Sequence, residues 1–387
     1  MRSGAGYRLG AVIGILLLLA LGLYFLKPRE FLLSYCAIGP LIVSLFMIVW
    51  SRRPVLRNGF LALASASLVV ALLDPITYLT DRPVVQAEGS WNSTFHYQWD
   101  DELGTALPPN VVAQARKSTD HGIIYDVTYS FDGNGHRKTL GSTDPSADSV
   151  VFMGCSFTFG EGVQDSETLP QQFSDQTGRK YNVSNFGISS FGIQQPLRAL
   201  EVGRLDPILS AGKRYVVYTG IPDHAYRVVT GYRRGPVYAL QGDGSVKYLG
   251  SGETGWQVIA VAMANRSLFL RNFVITPLFD ANPSYDVPLY TALVRRAGRI
   301  AREKYGAKFI VVFWDNPGSS VSAEVMAAFD KAGIAYVRVS TMLPGFLQND
   351  SMYRLSSYDG HPNALADHLI GQYLARHLDD IPAQPAD

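Results

Sequence analysis

Three stretches near the N-terminus, residues 9–26, 31–51 and 58–73, contain no charged side chain. A helix needs about 20 mostly apolar residues to cross the hydrocarbon core of a bilayer. The first two stretches are long enough. The third reaches the required length by extending past Asp74 through Ile76 to Leu79, near headgroup depth. The pattern predicts three transmembrane helices within residues 1–81. A cleaved leader fits poorly, because no small-residue cleavage site separates the first run from Lys27-Pro28-Arg29. Arg2, Arg8, Arg52, Arg53 and Arg57 fall on one side of the predicted spans, and Lys27, Arg29 and Arg82 on the other. The richer side is expected to be cytoplasmic. Everything after about Asp81 is then outside.

Charged residues make up 17% of the 387-residue chain, below the roughly 25% usual for soluble domains, so part of it is expected in lipid. The net charge is +1 and no basic run occurs, which argues against nucleic acid as a partner. Two cysteines, Cys36 and Cys155, make no disulfide framework. The sequence has no CxxC pair, HExxH, EF-hand loop, Walker loop or strand-borne GxGxxG, so neither a metal nor a cofactor is expected.

Residues 82–146 read as a lead-in. Trp91, Phe95, Tyr97 and Trp99 either sit at the membrane interface or pack on the domain. Residues 123–130 form a strand by β-branched and aromatic content, and the Asp132-Gly-Asn-Gly135 turn predicts a β-hairpin there. From residue 148 strands (149–153, 181–185, 215–219, 309–313, 335–339) alternate with helices (167–177, 194–209, 289–305, 322–332, 364–378). Such alternation predicts an α/β domain over 147–387 with a parallel sheet covered on both faces. Ligands bind such sheets at the carboxyl ends of the strands. Residues 223–285 interrupt the pattern. They contain a second hairpin (237–240 and 246–249) and an apolar stretch, 256–274, expected as a helix packed on the sheet or else as a lid or lipid-facing surface.

Three segments fall at predicted strand ends: Gly154-Cys-Ser-Phe-Thr-Phe-Gly160, Asn185-Phe-Gly187 with the residues to Gly192, and Asp359-Gly-His-Pro-Asn363. Ser156 follows a strand at a glycine-flanked turn. Serine is a weak nucleophile unless a base takes its proton. His361 is the candidate base, and Asp359 the group that would orient it. Amides at Ser156 and Gly187 are candidate oxyanion donors. The bland alternative makes the serine a helix cap and the Asp-Gly-His-Pro run an ordinary turn. The joint occurrence favours catalysis. Thr158 stands where the nucleophile elbow of α/β-hydrolases requires its second glycine.

These blocks resemble those of the SGNH/GDSL hydrolases. The Gly154 segment resembles the first block, Asn185-Phe-Gly187 the second, and Asp359-Gly-His361 the last. The resemblance spans roughly 148–380 and implies a flavodoxin-like three-layer fold with a Ser156–His361–Asp359 triad and oxyanion amides at Ser156 and Gly187. Three departures stand out. Cys155 replaces the usual Asp beside the nucleophile. Asp359 lies two residues before His361 instead of three. Gly220-Ile-Pro222-Asp223-His224 replaces the third block, so an asparagine donor is lost unless His224 or another side chain supplies it. Asp223, His224 and Arg227 are candidate substrate contacts, with Tyr226 beside them.

The resemblance, joined to the predicted topology, implies a bacterial inner-membrane, multi-pass serine hydrolase with a periplasmic catalytic domain. The expected substrate is an O-acyl ester, above all O-acetyl, on an envelope or exported polysaccharide, or another small ester. An O-acyltransferase using the same triad is one alternative. A weakly catalytic carbohydrate-binding or assembly component is another, against which an intact Ser156–His361 hydrogen bond would argue.

Overall fold

The computed structural model describes residues 31–80, 90–209, 212–229, 235–251, 263, 266–275 and 285–384. The predicted first span, 9–26, lies outside the described residues. The chain divides into two compact units. One comprises residues 1–85 and 254–283; the other comprises 86–253 and 284–387.

In the first unit, helix α1 (Leu32–Trp50) and helix α2 (Pro54–Thr80) pack together as an antiparallel pair. Among the described residues these are the two helices long and apolar enough to cross a membrane. Val43, Phe46, Leu61, Val69 and Leu72 stand exposed along them. The Ser34 hydroxyl donates to the Ala71 carbonyl at 2.8 Å and pins one helix to the other. A carboxylate inside an apolar helix is costly unless hydrogen bonds satisfy it. Asp74 is fully buried and accepts three: from Leu33 N at 3.0 Å, Ser267 Oγ at 2.6 Å and Phe269 N at 3.0 Å. It therefore caps the start of α1 and the start of the turn after Ser267 together. Leu32 N adds a bond to the Arg266 carbonyl at 2.7 Å. The expectation of a helix packed on the sheet over 256–274 is corrected for its described part. Residues 266–275 belong to the helix-pair unit and end in a π-helical turn, Leu270–Ile275.

In the second unit, β4 (Ser149–Gly154), β5 (Asn182–Gly187), β6 (Arg214–Gly220), β9 (Lys308–Phe313) and β10 (Tyr336–Arg338) form a five-stranded sheet in the order β10-β9-β6-β4-β5. All neighbours are parallel. This is the doubly wound order in which the chain reverses direction across the sheet between its first and third strands, β4 and β6. The strands are buried on both sides, as their near-continuous apolar runs require. Val151 and Met153 face one layer, with α5 (Gln194–Glu201), α7 (Val287–Tyr305) and α8 (Ser320–Lys331). Val150 and Phe152 face the other, with α4 (Leu169–Gln176) and α9 (Ala364–His377). The expected three-layer arrangement follows from this period-2 division.

The segment expected as a lead-in packs into the first of these layers. β1 (Ser90–Ser93), β2 (Val112–Thr119) and β3 (Gly122–Ser130) form an antiparallel sheet whose Ala113, Ala115, Tyr125, Val127 and Tyr129 join that core. The Asp132-Gly-Asn-Gly135 turn reverses the chain as predicted: Phe131 bridges Arg137 antiparallel, and Lys138 N donates to the Ser130 carbonyl at 2.8 Å. β3 pairs with β2, which precedes it, and the connecting residues are Asp120 and His121. β2 escapes sequence reading because small and polar residues replace the usual branched ones. The second hairpin forms as expected, β7 (Pro236–Leu240) with β8 (Val246–Ser251).

Beyond the Asp132 turn lies Arg137, 1% exposed. Its guanidinium donates to the carbonyls of Phe159, Gly160 and Val163, and its Nε meets Asp165 at 3.0 Å. It stacks 4.2 Å from the Tyr129 ring centroid. One cation thus gathers the loop that follows Ser156. Arg137→Met would leave those carbonyls buried without a donor. We expect a loss of about 3–5 kcal/mol, read from denaturant unfolding of the detergent-solubilised protein; a loss under about 1 kcal/mol would show that water replaces the guanidinium.

Candidate active site

Ser156 opens helix α3 (Ser156–Phe159), a single turn directly after β4. The Cys155 carbonyl accepts from Thr158 N at 3.0 Å and Phe159 N at 2.9 Å, which closes the turn. Gly160 ends it in the left-handed conformation, φ 82°. Cys155 points into the core and is fully buried. A Cβ on Gly154 would lie 2.3 Å from Thr158 Oγ1, so the block's glycine and threonine are packed against each other.

Asp359 and His361 lie on a short strand, β12 (Asp359–Pro362), paired with β11 (Arg354–Ser356). Residues i and i+2 of a strand share a face. The two-residue spacing, an anomaly for a helix or loop, is what a strand needs to place the two side chains together. His361 Nδ1 lies 2.6 Å from Asp359 Oδ1, and His361 Nε2 lies 2.9 Å from Ser156 Oγ. The His361 amide also donates to Asp359 Oδ1 at 3.0 Å.

Two residues that sequence reading did not select join this chain. Lys117 Nζ donates to Asp359 Oδ2 at 2.6 Å. Glu161 Oε2 lies 3.8 Å from His361 Nε2 and accepts from Ser189 Oγ at 2.8 Å. Lys117 lies outside every motif, while Glu161 lies within the 154–163 block, where nothing in the sequence marks it as facing the distant His361. Burial would raise the Asp359 pKa, but its hydrogen bonds to His361 and Lys117 hold it well below the usual carboxylate range. Burial would lower that of His361, but the bond to Asp359 and the charges of Glu161 and Asp359 outweigh it and raise it.

Gly187 has a different part from the one its block implies. Its N–H donates to Asn185 Oδ1 at 3.0 Å, and a Cβ there would lie 2.4 Å from Phe159 N. The glycine is needed for close packing of β5 on α3. Asn185 in turn donates from Nδ2 to the Thr158 carbonyl at 3.0 Å. The next turn is closed by Phe191 N donating to the Ile188 carbonyl at 3.1 Å, and its third residue, Ser190, has φ 72°. That conformation favours glycine, and a serine held there is strained.

A cavity of about 400 Å³ opens at Ser156, His361 and Lys117, and Asp223 and Arg227 line it. Arg227 also donates to the Phe191 carbonyl at 2.6 Å. His224 is not at the cavity: it is fully buried, with Nδ1 2.5 Å from Tyr218 Oη, and burial drives its pKa well below the usual value. It therefore does not replace the missing asparagine. A second cavity of about 380 Å³, lined by Trp91, Tyr97, Glu161 and Ser189, lies on the Glu161 side. Among the described residues no cluster of His, Cys, Asp and Glu is arranged to hold a metal ion.

No protein-family model and no curated protein matches the sequence. Solved structures do resemble it in part. A protein described as lipolytic and of the G-D-S-L family, from Desulfitobacterium hafniense, aligns at 13% identity over 59% of this chain and 98% of its own, with a TM-score of 0.36. A protein described as an arylesterase, from Agrobacterium tumefaciens, aligns at 16% identity over 61% of this chain and 100% of its own, with a TM-score of 0.32. A carbohydrate acetylesterase from Sinorhizobium meliloti aligns at 12% identity over 61% and 100%, with a TM-score of 0.30.

Two outcomes are expected. A reaction that needs neutral His361 should gain rate as pH rises, with a midpoint above the ordinary imidazole value of about 6.5, measured as the pH profile of serine-probe labelling; a midpoint below that value would contradict the charge arrangement. Ser190→Gly should leave stability within about 1 kcal/mol, whereas the β-branched Ser190→Val should cost about 1–3 kcal/mol, compared by thermal melts.

Proposed function

We propose that the chain is an SGNH-type serine hydrolase of ester bonds, with Ser156 as nucleophile, His361 as general base and acid, and Asp359 as the group that orients the imidazole. The observation that carries this reading is the continuous hydrogen-bond chain from Ser156 Oγ through His361 to Asp359, at 2.9 and 2.6 Å. It also favours an enzyme over the binding-component alternative. Ser156 Oγ attacks the ester carbonyl as its proton passes to His361 Nε2. The tetrahedral intermediate collapses, and the leaving alcohol takes that proton. Water then adds to the acyl-enzyme with His361 again as base, releasing the acid and regenerating the serine.

The first oxyanion donor is the Ser156 amide, one of the N–H groups that a helix start leaves without an intrahelical acceptor. The second is assigned to the Ser189 and Ser190 amides of the strained turn, in place of Gly187, whose N–H is engaged by Asn185, and of Ile188 and Phe191, whose N–H groups donate to the Gly154 and Ile188 carbonyls. Pro222 offers no third donor.

The substrate class is an O-acyl, above all O-acetyl, ester of an envelope or exported polysaccharide. A cavity that mixes charged groups such as Asp223, Arg227 and Arg354 with the Trp314 and Tyr358 rings suits a polyhydroxylated alcohol. The two apolar helices fit a membrane anchor, with the site on the periplasmic side if the arginine asymmetry sets the topology. The second cavity, beside the same histidine, favours acyl transfer as the second reading, with an acceptor hydroxyl in place of water.

Treating the detergent-solubilised full-length protein with a fluorophosphonate probe tests the proposal. Labelling is expected at Ser156 and should be lost in Ser156→Ala and reduced at least about 100-fold in His361→Ala. Folded protein that takes no label, or takes it at another residue, would sink the reading. Acetate release from an O-acetylated glycan, against transfer to an added sugar, separates hydrolase from transferase.

A further inference from the structure

We infer that Lys117 is a positioning residue of the triad: its ammonium holds the second oxygen of Asp359 and so fixes the carboxylate against His361. The inference rests on the hydrolase reading for its catalytic meaning, but its geometry stands alone. Along β2 the buried face carries Ala113, Ala115 and then Lys117, while Arg116 faces outward beside Asp126 at 3.6 Å. A cation on the inward face of a sheet is costly without a partner. The pairing of β2 with β3 shifts register between Lys117 and Ser118, and such bulges re-aim side chains next to active sites. The lysine's partner is Asp359, whose side chain is 1% exposed.

The need for a third holder follows from the strand. Asp359 and His361 sit side by side on β12, and Oδ1 alone receives both His361 N–H groups. Lys117 takes Oδ2, so the carboxylate cannot swing about its own bond. The groups facing His361 are Asp359 on its own strand, Glu161 from the loop after α3, Ser156 and the Phe157 ring from α3, and Lys117 beyond Asp359. Tyr125 of β3 lies near Glu161 and Asp359 and is kept neutral by burial. The lysine charge opposes protonation of His361, against the pull of Asp359 and Glu161. Position and charge are therefore separable only where His361 is already neutral.

The test compares Lys117→Met and Lys117→Arg in the full-length, detergent-solubilised protein. The rate of fluorophosphonate labelling at Ser156 is followed up to the high-pH plateau, where every variant has a neutral His361. Lys117→Met should be about tenfold slower on that plateau and Lys117→Arg within about threefold of the unaltered protein. Equal plateaus for Lys117→Met would overturn the inference, since the lysine would then act by charge alone. Lys117→Gln serves as the neutral variant should Lys117→Met not fold. The second readout is the His361 Nδ1–H resonance in histidine-labelled protein, assigned with His361→Gln. It should lie far downfield in the unaltered protein and Lys117→Arg and move upfield in Lys117→Met; no movement would overturn the inference. If the unaltered protein takes no label, the hydrolase reading fails while this resonance still decides the role of Lys117.

Discussion

The geometry around the serine depends on one buried guanidinium. The residues after Ser156 form a single helical turn and then a glycine-rich loop, too short to hold their own shape by helix propensity. Arg137 supplies what propensity cannot, a planar fork of donors that binds three carbonyls of that loop at once. Gly160 and Gly162 both have positive φ, so the loop bends sharply enough for those carbonyls to converge. Asn185 holds the same turn from β5 by donating to the Thr158 carbonyl. Ser156 is thus carried by a turn fastened from two sides, and one fastening comes from the segment N-terminal to the α/β alternation. Residues 90–137 are accordingly part of the site's scaffold, through Lys117, Tyr129 and Arg137.

How much of this was legible in the sequence follows from the range of each signal. The parallel sheet was readable because its strands are short apolar runs separated by helices, and strand burial on both faces leaves little ambiguity. Ser156, Asp359 and His361 were readable because glycine-flanked motifs mark chain reversals at strand ends. β2 was not: Val-Ala-Gln-Ala-Arg-Lys-Ser-Thr looks like a polar linker, and only its partner β3 makes it a strand. Lys117 and Glu161 were hidden for a related reason. A charged residue reads as solvated until tertiary structure turns it inward. His224 shows the converse. Its place at a strand end suggested a ligand contact, yet the one-turn helix α6 (His224–Arg227) rotates it onto Tyr218 and Tyr290 and leaves Arg227 at the cavity.

The three departures from the SGNH pattern have different physical weights. Cys155 is absorbed by the core, where a small apolar side chain fits and an aspartate would not. The shortened Asp359–His361 spacing is absorbed by the strand. Pro222 lacks an N–H, and the buried His224 does not line the cavity, whereas Asn316 does. An enzyme short of one oxyanion donor gives up on the order of 10²–10³ in rate.

The carboxylate in the apolar helix α2 is likewise held by groups distant in sequence. A carboxylate is costly at a lipid-facing position. The three hydrogen bonds of Asp74 come from the first turn of α1 and from the turn at Ser267, so it is satisfied only when the 266–275 segment is in place. That segment is connected through the chain to β8 on one side and α7 on the other. An aspartate that reads as a flaw in an apolar helix is the group that ties a distant stretch of sequence to the helix pair.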